Sequence, residues 1–323
     1  MFEKFSIIFG PVPSRRLGRS LGINNISAKT CSYSCVYCQI GRTTELTIER
    51  KGFYEPKKVL EEVTKKVNIL SLKNEKIDYI TFVPDGEPSL DSNIGKEITL
   101  IKSLKIPVAV ITNASLLWKE DVREDLLNAD YVSLKIDAVN DKLWKKINRP
   151  HPSLKLDNIL DGILEFSKNF RGKIVTETML INDIDYTLEL ENVGEYLKSL
   201  RKLDKVYISI PTRPPAEKWV KPANEKTINL AFQIFSKKVG AGKVELLLGY
   251  EGNSFTSIDN IESDLLSIIA VHPMRKDAVE NLLKKAGCDW NIIERLLKVN
   301  KVIKIDYEGK EYFLINFRTY LSA

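Results

Sequence analysis

Histidine is almost missing from this 323-residue chain: there are two, His151 and His272, too few for a His-rich metal site. Cysteine is scarce as well, four residues in all, which makes no disulfide framework. No apolar run approaches the ~20 residues of a membrane span. The opening MFEKFSIIFGPVPSRR has neither the apolar core nor the cleavage site of a secretory signal. A cytoplasmic protein with no membrane partner is expected. Excess charge is small: 49 Lys and Arg against 43 Asp and Glu leave +6, which permits a nucleic-acid partner without requiring one. Internal repeats and low-complexity segments are also missing. What remains, 43% hydrophobic and 28% charged residues, is the composition of a folded globular chain.

Strand and helix patterns alternate along most of it. Aliphatic or β-branched runs occur at Ile77–Phe82, Val108–Thr112, Tyr131–Ile136, Ile174–Leu180, Val206–Ile210 and Val244–Leu248, with a further strand around Leu21–Ile26. Amphipathic stretches of helical period lie between them at Lys57–Leu70, Leu116–Leu127, Leu156–Asn169, Tyr186–Leu200 and Glu225–Lys238. Repeated βα units predict an α/β fold with a parallel sheet and right-handed crossovers, and six of them suit an open or closed barrel. The ligand site then belongs at the carboxyl ends of the strands. From about Glu262 the pattern changes to three helical stretches and a hairpin, VIKIDYEGKEYFLINF. Residues 1–255 are therefore expected to form the barrel domain and residues 256–323 a winged-helix-like domain.

Three of the four cysteines fall within eight residues, as Cys31-x3-Cys35-x2-Cys38 on a loop after a predicted strand. Thiolates so spaced converge on one small metal centre. Structural zinc normally takes four protein ligands, whereas a cubane held by three leaves one iron open. A Cys3His zinc site would have to recruit His151 or His272, both remote in sequence.

The cysteine run, with the aromatic Tyr37 before its last member, resembles the signature of radical S-adenosylmethionine (SAM) enzymes. The resemblance extends to Phe9-Gly10-Pro11-Val12-Pro13-Ser14-Arg15-Arg16-Leu17-Gly18 and to Asp85-Gly86-Glu87-Pro88. Together these resemble the subgroup related to archaeal wyosine-forming tRNA enzymes, over roughly residues 5–250. The resemblance implies a partial (β/α)6-type barrel in which Cys31, Cys35 and Cys38 hold a 4Fe–4S cluster. It implies that SAM chelates the open iron and is split reductively to a 5′-deoxyadenosyl radical that takes a hydrogen from the substrate. An external electron donor is implied too. Wyosine-forming relatives carry further cysteines for a second cluster; here only Cys288 is left, so this chain cannot build that site alone.

The unusual residues do follow the strands. Gly86 permits close backbone approach and Glu87 can accept from a cationic amine; in the family this segment meets the methionyl amino group, though relatives often carry more glycine where this chain has Asp85. Thr112 and Asn113 suit a cofactor carboxylate or ribose, or a helix cap. Ser133, Lys135 and Asp137 share one strand face, and a buried Lys–Asp pair needs partners, so ribose or carboxylate contacts are expected. Thr176 and Thr178 share one face of the next strand, Glu177 and Met179 the other. Ile210 and Arg213 lie where the family contacts adenine, and Arg213 also suits a substrate anion. Arg15, Arg16 and Arg19 offer guanidinium forks to a phosphate or carboxylate of the substrate, or to solvent.

In the C-terminal region Asp289–Lys301 is the candidate recognition helix. Its Arg295, Lys298 and Lys301 are offset by Asp289 and Glu294, and the hairpin adds Asp306, Glu308 and Glu311, so a protein-docking role competes with RNA contact. Cys288 reads as an idle or buried thiol, and His151 and His272, each before a proline, as turn residues. The expected function is a radical enzyme acting on an unidentified macromolecule or metabolite, with tRNA modification the first substrate reading and peptide modification or activation of a glycyl-radical-type partner the second. The alternative from another class is a non-catalytic iron–sulfur or zinc protein that docks a partner through its winged helix.

Overall fold

A computed structural model describes residues 6–257, 260–317 and 319. Strands β1 (Ile8–Ser14) and β2 (Gly18–Ile23) form an antiparallel hairpin. The short strands β3 (Thr30–Cys31) and β4 (Glu45–Leu46) then pair across the base of the cysteine loop. Six crossovers follow: α1 (Pro56–Leu72) to β5 (Tyr79–Phe82), α2 (Ile94–Ile101) to β6 (Val108–Thr112), and α3 (Glu120–Leu126) to β7 (Tyr131–Lys135). The next is a double helix, α4 (Asp141–Asn148) and α5 (Leu156–Asn169), to β8 (Lys173–Met179). Helix α6 (Thr187–Ser199) leads to β9 (Leu203–Ser209), and α7 (Glu225–Val239) to β10 (Val244–Leu247).

These strands make one sheet in the order β1-β2-β5-β6-β7-β8-β9-β10, parallel from β2 onward. The protein is thus an α/β fold built on a parallel sheet. Six βα units in sequential order match the expected count. Both faces of the sheet are covered, which is why the strands read as near-continuous apolar runs. Val110, Val132, Leu134, Ile174, Val206 and Ile208 are buried against the helices. The opposite face carries Ala109, Tyr131, Val175, Tyr207 and Leu247, with Leu17 from the β1–β2 turn packed among them.

Helix α7 shows how the sequence sets these elements. The Asn224 side chain caps it by accepting from Thr227 N at 2.9 Å, and Ile228, Ala231, Ile234 and Phe235 bury one stripe. Gly240 ends it at a φ of 97°, a region open to glycine. Burying Phe235 alone contributes about 2 kcal/mol.

Strand β1 was not expected, because Gly10, Pro11 and Pro13 argue against a strand. It is the edge of the sheet, where an N–H without a ladder partner is tolerable and proline fits. Its Phe9 and Val12 turn away from the main core. They join a second core formed by α8 (Ile261–Val271), α9 (Lys276–Lys285), α10 (Asn291–Lys298) and a small sheet. That sheet has the order β11-β13-β12, from β11 (Met274–Arg275), β12 (Val302–Tyr307) and β13 (Lys310–Ile315). Among the described residues no helix is long and apolar enough to cross a membrane.

Candidate active site

The cysteine loop sits beyond the carboxyl end of β2 and is tied down at both flanks. Ser34 N donates to Asn148 O at 3.1 Å and Val36 N to Ile147 O at 2.9 Å, both at the end of α4. Cys38 N donates to Cys35 O and Gly41 N to Cys38 O, each at 3.1 Å, so the chain turns tightly around the third cysteine. Two amides face the sulfurs: Asn113 Nδ2 lies 3.5 Å from Cys31 Sγ, and Asn148 Nδ2 lies 3.5 Å from Cys35 Sγ. Burial, and then neighbouring negative groups, push the Cys31 and Cys35 thiols up, Cys35 to about 12. Burial raises Cys38 too, against the charge of Lys29. Among the described residues no three His, Cys, Asp or Glu side chains converge closely enough to hold a single metal ion. A cubane instead places each thiolate on its own iron, and three thiols of one loop are a donor set of that kind.

The segment after β5 packs directly beneath this loop. A Cβ on Gly86 would stand 1.9 Å from Thr30 O and 2.6 Å from Ile26 Cδ1. The glycine therefore lets two loops touch. Glu87 is fully enclosed, and both of its oxygens are used: Oε1 accepts from Ser89 N, Ser89 Oγ and Thr112 Oγ1 at 3.0, 2.6 and 2.6 Å, and Oε2 from Asn113 N at 2.7 Å. Asp85 is buried with neither oxygen hydrogen-bonded, and burial pushes it up to about 7.

A second bracket forms around Asp137. Its Oδ1 accepts from Met179 N at 2.8 Å and its Oδ2 from Asn148 Nδ2 at 2.7 Å and from the Tyr37 hydroxyl. Lys135, one strand-face position earlier, donates to Glu177 Oε1 at 3.0 Å and lies over the Tyr37 ring. Glu177 also accepts from Ser209 Oγ at 2.8 Å and from Arg16 Nη1 at 2.5 Å, and Arg16 reaches Ser133 Oγ at 3.1 Å. Burial alone would raise the Glu177 carboxyl; Lys135 and Arg16 more than reverse this and hold it well below the usual carboxylate range.

Above these charges a cavity of about 340 Å³ opens on the concave side of the sheet. Of the anticipated site residues, Tyr37, Cys38, Ile210, Arg213, Arg15 and Arg16 line it. Ser133, Lys135 and Asp137 stand behind that lining, in contact with Arg16, Glu177 and Tyr37; Asp85, Gly86, Glu87, Thr112 and Asn113 do not line it and lie around the Cys31 end of the cysteine loop. Arg19 lies elsewhere, donating to Lys76 O and Thr256 Oγ1 at 3.0 Å each and pairing with Glu75. Glu177 and His272 were not singled out from sequence. His272 does lie at the bend that ends α8, and its side chain is buried on the cavity wall, with Nε2 3.0 Å from Glu251 and 3.2 Å from Arg213 Nη2. Burial, reinforced by Arg213, pushes its pKa well below the ordinary histidine value. Cys288 is half-buried at the edge of the C-terminal core.

Comparison with known proteins agrees with this picture. A family model described as the radical SAM superfamily matches residues 25–197. A UPF0026 protein of Methanocaldococcus jannaschii is 47% identical over 97% of this chain and 97% of its own length. A UPF0026 protein of Synechocystis is 38% identical over 66% of this chain and 78% of its own. Among solved structures, a radical SAM methyltransferase from Sphaerobacter thermophilus shares the fold, with a TM-score of 0.53 over 71% of this chain and 66% of that one, at 14% identity.

Proposed function

Because the chain belongs to the radical SAM superfamily, we propose that it is an enzyme that holds a 4Fe–4S cluster on Cys31, Cys35 and Cys38. SAM would bind in the adjoining cavity, and the substrate would lose a hydrogen atom there. The observation that carries this reading is the position of Cys38, which lines the cavity on the concave face of the sheet. When bound and reduced by an external electron donor, the cluster supplies the electron that splits SAM into methionine and a 5′-deoxyadenosyl radical.

The chain's own contribution is position and electrostatics. Asn113 and Asn148 orient the first two thiols, Glu87 and Asp137 hold the loops behind them, and apolar Ile210 and Met179 exclude water from the wall. Tyr37 and Ile210 are the proposed direct SAM contacts, with Asp85, Gly86, Thr112, Ser133 and Lys135 behind them; Arg213, which suits either adenine or a substrate anion, is left to the anion because its Nε is buried without a partner. Relatedness to wyosine-forming enzymes, read from the FGPVPSRRLG and DGEP segments, supports tRNA as the first substrate to try, and a peptide or glycyl-radical partner as the second.

Residues 1–255 and 256–323 are proposed as a barrel and a winged-helix-like domain, the latter supported by α8–α10 and the β12–β13 hairpin. Several of its charges are answered internally: Arg295 pairs with Glu262, and Glu311 with Lys304 and Lys276. That favours protein docking over nucleic-acid contact for this domain.

The test is 5′-deoxyadenosine release from anaerobic, iron-reconstituted protein given SAM and a strong reductant, beside a Cys31/Cys35/Cys38→Ala control. Release that disappears in the control supports the enzyme. No release from protein verified to hold a 4Fe–4S cluster overturns it in favour of a docking module.

A further inference from the structure

Three guanidinium groups, those of Arg15, Arg16 and Arg213, line the cavity, against two carboxylates, Glu177 and Glu251. Arg16 gives Nη1 to both Glu177 and Ser133. Arg213 gives Nη1 to Gln39 at 2.9 Å and Nη2 to Glu251, but its Nε is buried without a partner. A buried N–H left unpaired is costly to keep. Arg15, the most exposed of the three, meets the carbonyl of Gly249 at 2.5 Å and makes no ion pair among the described residues. It lies within electrostatic reach of Arg213, Glu251, Glu177 and Arg16, so the groups converge on one space. Three positive charges against two negative leave one unmatched, and His272 beside them is held neutral.

We propose that the cavity accepts a substrate carrying an anionic group, a carboxylate or a phosphate ester, taken by Arg15 and the free Nε edge of Arg213. The fork geometry of guanidinium matches either group. The inference rests on the reading of the cavity as the place of radical chemistry. In that reading the carboxylate of SAM is spent on iron, which leaves these arginines to a second molecule.

The experiment is equilibrium dialysis of the full, iron-reconstituted chain against radiolabelled inorganic phosphate and, separately, acetate, with and without SAM. Saturable binding of one anion is expected, weakened about tenfold or more by Arg15→Gln or Arg213→Gln and partly restored by Arg15→Lys. Arg201→Gln makes the same charge change on the outer surface and should leave binding intact. Tighter phosphate assigns a phosphate ester, tighter acetate a carboxylate. Three results overturn the inference: no saturable binding, binding indifferent to Arg15→Gln, or binding abolished by SAM, which would make this the cofactor's own carboxylate subsite. Scoring SAM cleavage in the same samples separates the two claims. Cleavage without anion binding sinks the anion site alone, and anion binding without cleavage sinks the radical reading alone.

Discussion

Lys135 and Glu177 are register partners on neighbouring parallel strands, and their side chains meet at 3.0 Å on the concave face of the sheet. With Arg16 on the other carboxylate oxygen, Glu177 compensates two cations that are themselves mostly buried.

Among the described residues Glu177 is the one carboxylate paired with both, and Glu177→Gln removes that counter-charge. Breaking one partner out of a buried ion pair costs about 3 kcal/mol or more, so the variant should melt well below the parent at pH 7. The sign with pH follows from the lowered pKa of Glu177. Its stabilisation is present above the ordinary glutamate range and is lost as pH falls toward its folded value. Thermal melts should therefore show the gap between parent and variant closing as pH falls below about 4.

Gly86→Ala tests the contact beneath the cysteine loop. The added methyl meets backbone, Thr30 O and C, rather than a side chain that can swing away. We expect a loss of about 1–3 kcal/mol, together with poorer iron uptake, because Thr30 directly precedes Cys31. A variant that melts and loads iron like the parent would show that the loops separate freely.

Glu97 is a stability defect at neutral pH. Both carboxylate oxygens are buried without hydrogen bonds; burial, and then Asp91 nearby, push its pKa up to about 9. The native state keeps a proton that the unfolded chain gives up near pH 4.5, so stability is full below that value and declines as pH rises toward 9. Glu97→Gln should match the parent near pH 4.5 and exceed it clearly at pH 8.5. Melting curves at the two pH values decide it; equal curves at both would place a compensating donor at this side chain.

Gln39 bridges the cysteine loop and α8, donating to Val271 O at 2.9 Å and accepting from Arg213 at 2.9 Å. Gln39→Ala should cost only about 1 kcal/mol of global stability. The iron-to-protein ratio after reconstitution should fall more clearly, since the residue adjoins Cys38. Unchanged iron content would make the bridge irrelevant to the loop.

The parts of this arrangement that were readable in the sequence are those fixed by local spacing. The cysteine run needs eight residues to declare itself, and runs such as Val108–Thr112 and Val206–Ile210 show both-face burial by their own composition. Glu177 was not readable, because in Ile174–Leu180 two alternating faces are visible but only the sheet decides which is concave. Its partner Arg16 lies 161 residues away. A signal did exist: Lys135 and Glu177 are charges of opposite sign, each within an otherwise apolar or small-residue strand, on successive βα units. The burial of His272 was unreadable for a different reason. The proline after it suggests a turn, and only the packing of α8 against Arg213 turns that position inward. Strand β1 was hidden by its own prolines, which an edge position tolerates.

Two ends of the chain are joined at the cysteine loop. Gln39 is held by Val271, 232 residues further on, and Phe9 and Val12 are buried among residues of α8 and the helices after it. On the ribosome, the N-terminal hairpin and the third cysteine emerge long before the residues that will hold them. Contacts of such separation form late. The nascent chain therefore carries the Gln39 end of the cysteine loop without its Val271 anchor until α8 has folded back. Under the proposed function, iron would then be delivered after translation, and oxygen would have its easiest access to the thiols before that event.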